Sequence, residues 1–204
     1  MAILNRLELV AMNNPIRRVV QRGYELPAFE RALDEAHVDL RGARLLDVGC
    51  GSGYGMELLD RRYAPTRLCG IDLMPEQIDA ARRRSIRNAE LTLGDVSEIP
   101  YAGGAFDAVF VFGILHHVPE WRAGLREIAR VLAPGGVLCI EELRGEYIDL
   151  QDRYLGTSHP PAARFEWDAF RAGLSDAGLD IVSDRSLAPL SILRSFLARK
   201  PRAS

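Results

Sequence analysis

No stretch of the 204-residue sequence approaches the roughly 20 consecutive apolar residues that a bilayer-spanning helix needs, so no membrane span is expected. The segment Met1 to Glu8 is apolar in places. Arg6 and Glu8 interrupt it and no small-residue cleavage site follows, so it does not read as a signal peptide. Cysteine is scarce. Cys50, Cys69 and Cys139 each lie in or beside an apolar, strand-like run. Their spacing makes neither a disulfide framework nor a metal-ligand set. Buried reduced thiols in a cytoplasmic protein account for them, and no metal is expected. Lysine is nearly absent: Lys200 is alone, and arginine supplies every other basic side chain, a bias of composition. The formal net charge of -2 offers no basic field to nucleic acid. Nor is there an aromatic-interleaved basic groove for RNA or DNA. Repeats and low-complexity tracts are missing too.

What remains is an ordinary globular composition, 48% hydrophobic and 26% charged, long enough for one domain with a sizeable core. From Arg44 onward, short β-rich runs alternate with amphipathic helical stretches. Strands are expected at Arg44 to Val48, Arg67 to Ile71, Glu90 to Leu93, Ala105 to Phe112 and Gly136 to Glu141. Helices are expected at Gly53 to Arg62, Pro75 to Ile86 and Trp121 to Leu132. This alternation with short connections predicts an α/β, Rossmann-like doubly wound sheet, mostly parallel, with helices on both faces. Residues 1–40 read as a helical cap, with Asn13-Asn14-Pro15 as cap and first position of a helix. Residues 143–164 look irregular, broken by Gly145, Gly156 and Pro160-Pro161. Phe165 to Ala177 is helical and stops at Gly178. Leu179 to Ser183 and Ile192 to Ala198 complete a sheet of about seven strands as an antiparallel pair. The expected organisation is a single domain, 1–204. Its parts are an N-terminal cap (1–40), a core (44–142), a substrate-side insertion (143–170) and a C-terminal helix end and strand pair (171–204).

The chemistry concentrates at Asp47-Val48-Gly49-Cys50-Gly51-Ser52-Gly53. A strand, a glycine-rich turn and a helix present free backbone N–H groups to a ligand. A dinucleotide fingerprint requires Gly-x-Gly-x-x-Gly. Counting from Gly49 puts Tyr54 at the third glycine, and counting from Gly51 puts Met56 there, so neither frame fits. The turn has no lysine, which removes the phosphate-loop reading. Asp47, two residues before Gly49, would repel a pyrophosphate and suits a ligand carrying an ammonium group. Asp72, ending the second strand, can accept hydrogen bonds from two ribose hydroxyls, or cap the helix before Pro75. Asp95 closes the third strand, where it can accept from an adenine amino group or serve as a turn residue.

Leu45 to Gly53 resembles the first motif of class I S-adenosylmethionine (SAM)-dependent methyltransferases. Gly70-Ile71-Asp72-Leu73 resembles their ribose-binding motif and Gly94-Asp95-Val96 their adenine-binding motif. Leu132-Ala133-Pro134-Gly135-Gly136 resembles the turn before their fifth strand. The matches keep the family's order over about residues 44–142. They are most similar to the small-molecule type, methyltransferase type 11, which includes quinone-biosynthesis enzymes. The resemblance implies SAM as cofactor and S-adenosylhomocysteine as product. It places Asp47, Gly49 and Gly51 at the methionine end, Asp72 on the ribose and Leu73 against the adenine. Asp95 and Val96 would read the adenine edge, and Phe112 and Gly113 would touch the methionine portion.

On the acceptor side, His116 and His117 follow the fourth strand and are candidates for a general base, with His117 slightly ahead. A His pair at this place also occurs without a catalytic role. Glu141 and Glu142 end the fifth strand; they orient an acceptor or solvate a strand end, the second being favoured. His159 reads as a surface loop residue unless its segment folds over the substrate. Arg17, Arg18, Gln21, Arg22 and Tyr24 either cover the cofactor mouth, with Tyr24 as a lid residue, or form a solvated basic face, the second being favoured. Trp121 and Trp167 read as packing residues. The expected function is methyl transfer to O, N or C of a small metabolite, within secondary metabolism, by a monomer or homodimer. The alternatives are a cyclase or rearrangement enzyme on the same SAM site, a non-catalytic SAM-binding subunit and, more distantly, a nicotinamide dehydrogenase.

Overall fold

The computed structural model describes residues 15–155, 159–187 and 191–202. Asn13 and Asn14, and the helical reading of residues 1–14, lie outside them. The first described elements are α1 (Pro15–Val20), a single π-helical turn (Gln21–Glu25) and α2 (Leu26–Glu35). The alternating part follows as β1 (Arg44–Val48), α3 (Tyr54–Tyr63), β2 (Arg67–Asp72), α4 (Pro75–Arg82) and β3 (Ala89–Leu93). It continues with β4 (Phe106–Phe112), a 3-10 turn (Leu115–His117), α5 (Trp121–Val131) and β5 (Leu132–Leu143). The last elements are α6 (Gly145–Leu155), a 3-10 turn (Pro161–Ala163), α7 (Trp167–Asp176), β6 (Asp180–Ser186) and β7 (Leu193–Arg199).

Seven strands form one sheet in the order β3-β2-β1-β4-β5-β7-β6. The first five run parallel, and β7 inserts antiparallel between β5 and β6. The fold is therefore the mostly parallel doubly wound sheet expected, with the antiparallel strand at the C-terminal end.

Side chains of successive strand residues point to opposite faces, and the core divides accordingly. On one face Leu46, Val109, Val111, Leu138 and Ile140 pack with Leu125 and Ile128 of α5 and Phe170 and Leu174 of α7. On the other, Leu45, Phe110, Phe112 and Cys139 pack with Phe29 and Leu33 of α2, Met56 and Leu59 of α3 and Ile78 of α4. β4 is central, and all but one of its seven residues are buried. That explains its nearly continuous apolar sequence. Trp121 and Trp167 are packing residues, set among Phe165, Phe170 and Phe196.

Several stretches depart from expectation: residues 132–136, expected as a turn, open strand β5, and α4 stops at Arg82 rather than Ile86. Residues 145–155 form helix α6 rather than irregular chain. Ile148 is fully buried on it, Glu146 lies in its first turn and Arg153 in its last, as the helix dipole favours. Gly145 and Pro160-Pro161 bracket the helix rather than break it.

β1, β2 and β3 build outward in one direction, and the chain then crosses back to lay β4 on the other side of β1. The carboxyl ends of β1 and β4 therefore open at a topological switch point, where open α/β sheets bind ligands.

Candidate functional site

The glycine turn leaves β1 at this switch point. Gly49 and Cys50 both donate their backbone N–H to the Ile71 carbonyl, at 2.8 and 2.9 Å, which folds the turn over the end of β2. Gly49 has φ +72°, in the left-handed region. A Cβ there would stand 2.7 Å from Cγ2 of Ile114, in the segment after β4. Glycine is therefore required twice, by conformation and by the close approach of the two strand ends. Gly55, in the first turn of α3, has a similar role: a Cβ would meet Oδ2 of Asp47 at 2.9 Å.

Asp47 is only 1% exposed, and its Oδ1 has no hydrogen-bond partner. Burial, with the nearby Asp72 charge, pushes this carboxyl up to about 8. It lies in a cleft with Arg17, Arg18, Gln21, Gly49, Gly51, Tyr54 and Phe112 along its walls. A buried acid without a partner is unfavourable unless something meets it. An ammonium or ammonium-bearing ligand would supply both the hydrogen bond and the charge. Asp72 holds the turn from below. Its Oδ2 accepts the Gly51 N–H at 2.9 Å, and its Oδ1 accepts the Met74 N–H at 2.9 Å. Burial raises its pKa while these backbone donors oppose the rise. Leu73 is half-buried beside it.

Asp95 is half-buried at the end of β3, and its Oδ1 accepts both the backbone N–H and the hydroxyl of Ser97 at 2.8 Å. The turn role therefore takes up one carboxylate oxygen. Val96 is buried in the core. Phe112 is buried along the cleft, and Gly113 after it has φ +64°.

The rim beyond β4 differs from the sequence reading. Glu141 and Glu142 do not solvate a strand end: they are 2% and 0% exposed. β5 runs past them to Leu143 and pairs with β7 there, so both acids lie under cover. Glu142 accepts the Leu115 N–H at 2.7 Å and its Oε2 lies 2.7 Å from Nδ1 of His116. Burial pushes it up to about 8. Glu141 is reached by Arg17, which also pairs with the buried Glu25 and donates to the Phe112 carbonyl at 3.3 Å. Burial raises the pKa of both acids, and the Arg17 charge opposes it.

His159 is not a surface loop residue. It is 6% exposed, and its Nδ1 lies 2.6 Å from Asp152 of α6. Its ring stacks on His117 with centroids 4.6 Å apart, and His117 is 4.3 Å from His116. Burial and the two neighbouring imidazoles push the His117 pKa down to about 2. Tyr24 does not cover the cleft: it is exposed, and its hydroxyl donates to the Leu187 carbonyl. Arg17, Arg18 and Gln21 from the same stretch do line it, so this helix is not simply a solvated basic face. Arg18 and Arg84 both lie over the Tyr54 ring, 5.7 and 5.4 Å from its centroid, at the start of α3.

Glu25, Asp152 and Arg84 have no motif in the sequence. Glu25 meets Arg17 from 8 residues away, Asp152 meets His159 from 7 and Arg84 reaches Ser52 from 32. Only the fold brings them in.

Residues 46–140 match the family model described as a methyltransferase domain. Over 153 residues the chain is 35% identical to a fatty-acid O-methyltransferase of Mycolicibacterium smegmatis, a span of 74% of this chain and 49% of that protein. It is 35% identical over 105 residues to demethylmenaquinone methyltransferase of Staphylococcus aureus, covering 50% of this chain and 44% of the relative. The chain thus spans about half the length of these curated relatives. A chain from the complex of the Haloferax volcanii Trm112 methyltransferase activator with a methyltransferase superposes with a TM-score of 0.78. That likeness covers 98% of this chain and 100% of the other at 19% identity, and it shows the fold alone. Fold and glycine turn together define a Rossmann-like cofactor-binding domain. Residues 46–140, just under half of the chain, carry the match to the methyltransferase domain family. Among the described residues no helix is long and apolar enough to cross a membrane.

Proposed function

We propose that this chain transfers the methyl group of SAM to an O, N or C atom of a small-molecule acceptor, leaving S-adenosylhomocysteine. The observation that carries the proposal is the unpartnered Oδ1 of buried Asp47 beneath the glycine turn. SAM has an ammonium group, and an acid so placed would receive it. Bound SAM supplies a sulfonium-activated methyl group. The chain's own work is to hold and orient. Asp72 stands at the adjacent strand end, where it would take the ribose, with Leu73 against the adenine. Asp95 and Val96 would meet the adenine edge, while Gly49, Gly51, Phe112 and Gly113 would line the methionine portion. Positioning of this kind lowers a barrier by about 7–11 kcal/mol in favourable cases.

Where the acceptor must lose a proton, the geometry favours His116 over His117. Glu142 holds Nδ1 of His116 and so fixes its ring. His117 is kept too weakly basic to act well near neutrality. Acceptor choice falls to the two segments flanking the cleft, the cap through Arg17, Arg18 and Gln21 and the insertion 143–170 through His159. Both relatives are named for small molecules, which supports a small-molecule acceptor. The net charge of -2 argues against nucleic acid, and three buried free thiols suit the reducing cytoplasm.

The test is incubation with methyl-labelled SAM and a panel of fatty acids, quinols and phenols. Labelled product and equimolar S-adenosylhomocysteine are expected, with cofactor binding lost in Asp47→Ala. Failure of the wild-type chain to bind SAM overturns the assignment. An acceptor rearranged at unchanged mass, with SAM unconsumed, replaces it by a cyclase or isomerase on the same site.

A further inference from the structure

Three of the chain's four histidines meet on the rim: His116 and His117 from the 3-10 turn after β4, and His159 from the segment after α6. Nothing in their spacing announces this, since His159 is far along the chain from the other two. One ring nitrogen from each comes within 4.8 Å of the others. Two of the three are backed by carboxylates. Nδ1 of His116 lies 2.7 Å from Glu142, and Nδ1 of His159 lies 2.6 Å from Asp152. The carboxylates are themselves held. Glu142 accepts the Leu115 N–H, and Asp152 accepts the His159 N–H at 3.1 Å and a guanidinium N–H of Arg164 at 2.8 Å.

We propose that His116, His117 and His159 form a binding site for one divalent transition-metal ion of the zinc, cobalt or nickel type. A ligating imidazole ordinarily gives its other ring nitrogen to a carboxylate, which fixes tautomer and ring orientation. In His116 and His159 Nδ1 already faces a carboxyl group, which leaves Nε2 as the nitrogen to ligate the ion. Three imidazoles suit a borderline cation and not magnesium or calcium, which take oxygen ligands. Tetrahedral zinc, with Zn–N bonds of about 2.0–2.1 Å, needs ligand nitrogens roughly 3.4 Å apart. The rings must therefore close by up to roughly 1.4 Å from their present spacing, a movement side-chain rotation supplies. Three protein ligands leave a fourth position open, as catalytic zinc sites do. Occupied, the site would tie the chain after α6 to the cofactor rim. It would also end any base role of His116, because a metal-bound imidazole takes up no proton.

The experiment uses tag-free full-length protein, titrated with Co²⁺ by visible absorption and with Zn²⁺ by calorimetry and thermal unfolding. One equivalent of Co²⁺ should bind with the intense absorption of a low-coordinate nitrogen site, and Zn²⁺ should raise Tm. His159→Ala and His117→Ala should lose both signals, while His37→Ala at the exposed fourth histidine keeps them. Asp152→Asn, which leaves all three rings in place, should weaken binding by about 10- to 100-fold. Cooperative unfolding of each variant without metal reads whether it has folded, whatever the status of methyl transfer. Absence of a one-to-one Co²⁺ complex in the wild type overturns the site, as does its full retention in His117→Ala or His159→Ala.

Discussion

Gly51 donates its backbone N–H to Oδ2 of Asp72 over 2.9 Å, so the acid at the end of β2 holds the glycine turn that follows β1. In the proposed complex the same carboxylate also takes the ribose. Asp72→Ala should therefore remove a ligand contact and release the turn. We expect S-adenosylhomocysteine affinity to fall by more than about 10-fold by calorimetry, the equivalent of 1.4 kcal/mol. Asp72→Asn keeps an oxygen for Gly51 and should fall between Asp72→Ala and wild type.

Gly49→Ala should destabilise the chain as well as impair binding. A left-handed conformation costs an L-residue about 1–2 kcal/mol, and the new Cβ would press on Ile114 at 2.7 Å. Ile114→Ala in the same chain relieves the contact but not the conformation. Thermal unfolding of the double variant should therefore recover only part of the lost Tm.

Asp47 gives a pH dependence with a definite sign. Its folded pKa of about 8 lies above the usual carboxylate value near 3.9. Between these values the folded chain holds a proton that the unfolded chain has lost. Its contribution to stability is fully present below about pH 4 and is lost as pH rises through about 8. Glu142, also near 8, acts in the same direction. Asp47→Asn should flatten part of the fall in Tm between pH 5 and 8, in roughly that window. An ammonium partner would require ionised Asp47. S-adenosylhomocysteine should then bind more tightly as pH rises from about 6 to 8 and release protons in calorimetry run in buffers of different ionisation enthalpy.

Arg17→Ala should loosen the cap. The substitution strands Glu25 and Glu141 under cover and frees the Phe112 carbonyl. A buried group left without its partner costs about 1–3 kcal/mol. In a chain of this size that lowers Tm by roughly 2–4 °C per kcal/mol. Limited proteolysis should show earlier cleavage within residues 15–25.

The glycine turn, Asp47 and Asp72 were legible because their signal is local: glycines at a strand end, and acids at fixed offsets from them. The parallel sheet was legible for a related reason, since runs such as Phe106–Phe112 are apolar on both faces. Glu141 and Glu142 were misread as solvating acids because their cover comes from β7, which returns to pair with them some fifty residues later. Helix α6 was missed because Gly145 and Pro160-Pro161 are breakers by type, and the buried anchor Ile148 between them has no periodic partner strong enough to outweigh that. The meeting of His159 with His117 depends on how the chain after α6 folds back, a tertiary outcome that neither histidine encodes in its neighbours.

The π-helical turn Gln21–Glu25 sits between α1 and α2. Such a turn holds one residue more than an α-helical turn would, and one residue is about 100° of rotation at 3.6 residues per turn. That extra residue sets the phase of α1, and so aims Arg17 and Arg18 into the cleft. Excising exposed Gly23 would return the stretch to α-helical register and swing both guanidinium groups out of line with Phe112 and Tyr54. A single-codon deletion would thus act as a dial on the cap, turning it without altering any side chain that lines the cleft.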